Sequence, residues 1–95
     1  MKRPNTYTQI KTDLKKFEAR IAQRQRWCDE EAADGFRDAA EMFEKDVKDL
    51  TDVLNYLNKG DYKTAWNLII WLDTAVRDEI PVRLYNFLAK ENGYN

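Results

Sequence analysis

The chain has no histidine and no serine, and a single cysteine, Cys28, among its 95 residues. These absences remove the Ser–His and Cys–His nucleophile pairs, every histidine metal site and the commonest general base at neutral pH. A lone cysteine forms no intrachain disulfide and fits a reducing compartment. Chemistry would fall to carboxylates, Lys, Tyr, Thr or Cys28 itself. Asp29, Glu30 and Glu31 follow Cys28 directly, and their charge raises a thiol's pKa rather than activating it. The expectation is a protein that is not an enzyme, with no catalytic residue and no cofactor.

Apolar runs and chain breakers are scarce as well. No stretch approaches the ~20 apolar residues that cross a bilayer, and the N-terminus lacks the apolar core of a signal peptide. A cytoplasmic location is therefore expected. Only three glycines and two prolines occur, so each serves as punctuation. A 43% hydrophobic and 35% charged composition suits a helical globule rather than a disordered chain. The length suits one domain, residues 1–95, with a thin core.

What the chain does have is charge sorted by segment. Residues 1–27 carry eight Lys/Arg and two acids, residues 28–61 carry eleven acids and four bases, and residues 62–95 balance at four and four. The near-neutral total of −1 conceals this.

The apolar residues recur at helical spacing. Thr6 and Gln9 have capping-box spacing after Pro4, and Tyr7, Ile10, Leu14, Phe17 and Ile21 follow at alternating three and four. Arg24 interrupts this seam and Cys28 resumes it. Asp34-Gly35 is the first break. A second seam follows through Phe36, Ala40, Phe43, Val47, Leu50, Leu54 and Leu57. Asn58-Lys59-Gly60-Asp61 then gives a glycine suited to a left-handed C′ position and an aspartate suited to the next N-cap. Residues 65–72 are apolar nearly all round, with Trp66 and Trp71 on different faces. Pro81 starts a short last helix and Asn92-Gly93 ends it. The spacing predicts helices over about 6–33, 36–58, 61–79 and 81–92. Together they make an all-α bundle: an antiparallel hairpin of two long helices, a Trp-rich third and a short fourth.

Around the second turn, Tyr56, Gly60, Asp61, Tyr62 and Ala65 resemble the turn between the two helices of a tetratricopeptide repeat. The resemblance spans about ten residues. Asp49 and Asp52 fall where such a repeat is apolar, and no second copy follows. It implies an antiparallel helix–turn–helix and nothing further.

Folding the chain back at 34–35 sets residue i against residue 69 minus i. Arg20 then faces Asp49, Arg24 faces Glu44 and Asp46, and Lys16 faces Asp52. A single helix of about fifty residues, pairing antiparallel with a second chain, would give the same register. In the hairpin, Asp29, Glu30, Glu31, Asp34, Asp38 and Glu41 crowd one tip, and Lys2, Arg3, Lys11, Lys15, Lys59 and Lys63 gather at the other end.

Three constellations could meet a ligand. Trp66, Ile70 and Trp71, with the tip acids Glu30, Asp34 and Asp38, form a candidate protein-binding surface, since Trp is enriched at interface hot spots. Lys16, Arg20, Arg24 and Arg26, with Trp27 to stack on a base, form a candidate nucleic-acid or nucleotide-phosphate site, although a net acidic chain is unlike most such binders. The tip acids lack the alternating ligand spacing of a calcium loop, so no metal is expected. The reading is a protein–protein interaction module (a regulator, adaptor or inhibitor of the kind common among phage and mobile-element genes) that forms a homodimer or higher oligomer. Nucleic-acid or phosphate binding is the alternative.

Overall fold

The computed structural model describes residues 6–93, with side chains from Ile10 onward. Five helices follow in order: α1 Thr6–Ala33, α2 Arg37–Asn58, α3 Tyr62–Ile69, α4 Thr74–Arg77 and α5 Val82–Glu91. Among the described residues there is no strand, and no helix is long and apolar enough to cross a membrane. The Thr6–Gln9 cap and the lysine and arginine at positions 2 and 3 lie outside the described side chains.

α1 and α2 form the expected hairpin. Gly35 takes φ +83° at the turn, which only glycine adopts without strain, and this rules out one continuous fifty-residue helix. The register also follows the fold-back expectation. Cys28 Sγ donates to the Ala40 carbonyl at 3.2 Å, the Trp27 and Phe43 rings lie 5.9 Å apart, and Arg24 meets Asp46 at 3.0 Å. Burial, with Asp29 and Glu44 nearby, pushes the Cys28 thiol up, which suits a packed side chain rather than a nucleophile.

The second break is also as expected. Gly60 takes φ +76°, and the Asp61 carboxylate accepts from the Thr64 amide at 3.1 Å to cap α3. α3 then runs back along α2. Tyr62 lies beside Leu57, while Leu68 and Leu72 lie beside Asp49 and Asp52. The hydrogen bonds from Thr64 hold the Asp61 carboxyl below its ordinary value of 3.8. A lowered carboxyl pKa stabilises the fold above the ordinary value and loses that contribution as the pH falls through the lowered one. Asp61→Ala should therefore reduce Tm by about 4–8 °C at pH 7. The deficit should close toward pH ~2. Asp61→Asn keeps a capping oxygen and should show little deficit at pH 7. A deficit in Asp61→Ala that is the same at both pH values would contradict this role.

The expected third helix over 61–79 is not continuous. α3 stops at Ile69, residues 70–73 turn, and α4 is a single turn. The guanidinium of Arg77 reaches back to the freed carbonyls, its Nη2 donating to Leu72 O at 3.0 Å and Ile70 O at 3.3 Å. This supplies donors that the last carbonyls of a helix otherwise take from water. The break carries the chain across from α2 to α1, where Ala75 and Glu79 meet Arg24 and Arg20. α5 then returns toward the other end. Asn92 Nδ2 donates to Leu88 O at 2.8 Å and to Tyr62 O at 3.4 Å, tying the end of α5 to the start of α3.

The molecule is thus two stacked hairpins. α1/α2 form the long lower one, and α3/α5 form the short upper one, joined by α4. The core lies between them: Phe17, Leu50, Val53, Ile69, Leu84 and Leu88 are fully buried. Three residues depart from the expected seam, and one of them is Asp13 of α1, which lies off the seam and is buried. Val53 joins the core because α3 covers a second flank of α2, widening its buried face. Phe36 leaves it, lying exposed at the hairpin turn just before α2.

Candidate interaction surfaces

The charge column on α1 is largely engaged within the fold. Arg24 is 12% exposed at its side chain and lies 3.0 Å from Asp46 and 3.4 Å from Glu79. Its Nη2 also donates to Ala75 O at 3.4 Å. Burial raises the Asp46 carboxyl above its ordinary value, and the Arg24 charge partly offsets that rise. Among the described residues, both ion pairs belong to Arg24. Arg20 donates to the Glu79 carbonyl at 3.0 Å instead of pairing with Asp49, and no Lys16–Asp52 bridge forms. The upper hairpin accounts for the difference, because it brings in acceptors that a two-helix register cannot foresee. Arg26 donates to Gln23, and Trp27 packs on Phe43. Lys16, Arg20 and Arg26 all remain exposed, and Arg24 is the member of the proposed phosphate column that the fold covers.

The three apolar candidates of the third segment part company. Trp66 is only 7% exposed, its ring tilted against Tyr85 at 5.2 Å between centroids. Ile70 is exposed, and Trp71 is 85% exposed. The break at 70–73 causes this split, since Trp71 sits on the turn and not on the α3 face that meets the core. Trp71, Leu68 and Leu72 line a notch of about 150 Å³ together with Asp49 and Asp52 of α2. On the other side, the Arg77 clamp links Ile70 to a second hollow of about 170 Å³, which exposed Val82 also lines.

Glu30, Asp34 and Asp38 are exposed at the tip, as expected. Of the apolar residues among them, Trp27 was expected at the surface as a stacking group, whereas Phe36 and Met42 were not. Phe36, Met42 and Trp27 are all exposed, Trp27 the least of the three. Heptad spacing had placed Phe36 in the core seam. Met42 lies outside both seams. Among the described residues, no three carboxylates or thiols converge on a point where a metal could bind.

No family model, curated protein or solved structure matches the chain.

Proposed function

We propose that the chain is a non-enzymatic protein–protein interaction module, a small helical regulator, adaptor or inhibitor that acts by occupying a partner's surface. The observation that carries this reading is Trp71. A tryptophan that is 85% exposed, on a turn whose carbonyls Arg77 clamps, is a large apolar group held ready rather than packed away. Surface tryptophans in such positions dominate interface energetics. Asp49 and Asp52 line the same notch, so a cationic side chain of the partner could lie on the indole face and pair with the carboxylates.

The test is Trp71→Ala, read two ways. Its Tm should stay within ~2 °C of the parent, because an exposed side chain contributes little to folding. Retention of partner protein from cells that make the chain should fall about tenfold or more. Equal retention by the parent and the variant would overturn the reading. A second copy is one partner that the surface admits. Light scattering at ~100 μM populates micromolar contacts. A dimer that Trp71→Ala converts to a monomer would assign the surface to self-association.

A further inference from the structure

The lower hairpin is longer than the upper one that covers it. The covered part ends at a rung formed by Arg24 and Asp46, on which Glu79 and Ala75 sit. One helical turn further toward the tip, Trp27 stands above Arg24, and Met42 and Phe43 stand above Asp46, at the three- and four-residue spacings that share a helix face. The Trp27 and Phe43 rings are in contact at 5.9 Å, and Met42 is 70% exposed. One turn further again, Glu31 and Asp38, with Arg37 between them in the lining, border an open hollow of about 540 Å³ together with Phe36. Among the described residues, nothing lies over these last two rungs. The groove that holds α4 and the upper hairpin lower down continues, uncovered, for the ~13 Å from Arg24 to the end of α1.

We propose that this uncovered groove binds a cationic amphipathic helix of another protein, which completes the upper layer over the tip. The apolar rung of Trp27, Met42 and Phe43 would take the apolar stripe of that helix. The carboxylates around it would take its Lys or Arg flanks, since residues 25–46 carry eight acids against three bases. Charge also argues against a second copy, because two acidic tips would repel. A groove this short gives an interface smaller than the ~800 Å² per partner of a standard one, so the contact is micromolar and transient. The proposal goes beyond the Trp71 reading and does not depend on it.

The experiment titrates the full chain by calorimetry with three synthetic peptides of about four helical turns. One is a Leu/Lys sequence with its leucines on a single helix face, one is a scramble of it with no apolar face, and one is the same pattern with Glu for Lys. The ordered Leu/Lys peptide should bind with micromolar Kd, about tenfold or more tighter than the scramble, and the Leu/Glu peptide should not bind. Met42→Lys, at an exposed position that tolerates change, should weaken binding about tenfold, as should Trp27→Ala. Trp71→Ala should leave it within about twofold, so failure here and failure of the Trp71 reading remain separate. Equal affinity for the scramble would reduce the effect to charge attraction and overturn the proposal. No binding at ~1 mM, or an unchanged Kd in Met42→Lys, would also overturn it. So would a dimer of the free chain that Met42→Lys dissociates, since that assigns the groove to a second copy.

Discussion

Phe17→Ala should remove a large part of the stability of this protein. Phe17 is fully buried in the core, on the seam of α1 that faces α2 and the upper hairpin. Its removal takes away the transfer energy of the ring and leaves a cavity that four packed helices close only in part, a cost of about 3–5 kcal/mol. A domain of this size has roughly 5–14 kcal/mol in total. The expected result is a Tm lower by at least ~12 °C, with a proportionate fall in the urea midpoint and an unchanged slope. Phe17→Leu, which keeps most of the apolar volume, should cost roughly a third as much. A loss below ~1 kcal/mol in Phe17→Ala would mean that the two hairpins do not pack on this residue.

The same residue shows what periodicity can reveal. Phe17, Ile21, Leu50 and Leu57 all fall on the two heptad seams, and all four are buried. The seams and the two glycine turns gave the long hairpin, its register and the start of α3, because each is a local property of the chain. Spacing decides which face is apolar, and a left-handed backbone decides where the chain turns. The upper hairpin was less legible. An eight-residue apolar run suggests a continuous helix to any local reading, yet the chain breaks at 70–73, where Arg77 reaches back to the carbonyls of Ile70 and Leu72. Neither the break nor the resulting exposure of Trp71 is written in the spacing of apolar residues. Val53 is similar. It lies outside the α2 seam, and it is buried because α3 approaches from that side.

The segregation of charge has a divided meaning in the folded chain. Part of it sets the register: Arg24 meets Asp46 as the fold-back expectation requires. Much of the acidic segment finds no cation, because the basic residues of α1 turn to backbone carbonyls and glutamine instead. The surplus stays at Asp49 and Asp52 beside Trp71, and at Glu31 and Asp38 beside Phe36. Each surplus therefore borders an exposed apolar group. That pairing is what distinguishes these two places from an ordinary solvated helix face, where charge alone is the rule.

Arg24 also gives the second large expected effect, and one with a pH signature. It interrupts the apolar seam of α1, yet it is the side chain that ties α1 to α2 and to the segment leading into α5. Arg24→Met keeps much of the aliphatic bulk and removes the charge. Asp46 and Glu79, each about one quarter exposed at the side chain, would both lose the guanidinium they meet. The expected cost near pH 7 is about 2–3 kcal/mol, below the 3–5 kcal/mol of a fully buried pair because water still reaches both carboxylates. The sign of the pH dependence follows from Asp46. Its carboxyl is already raised by burial, and Arg24 works against that rise, so losing Arg24 raises it further. A raised carboxyl favours the fold below the ordinary value near 3.8 and loses that contribution as the pH climbs through the raised one. The gap between parent and variant should therefore be widest near neutral pH and shrink below pH ~4, where protonated carboxyls need no counter-charge. Arg24→Met with Asp46→Leu should recover part of the loss, since an apolar pair leaves one stranded charge fewer. Urea titrations at several pH values check all three statements. A deficit that is constant with pH, or a double variant no better than Arg24→Met, would show that Arg24 acts through packing of its stem rather than through its charge.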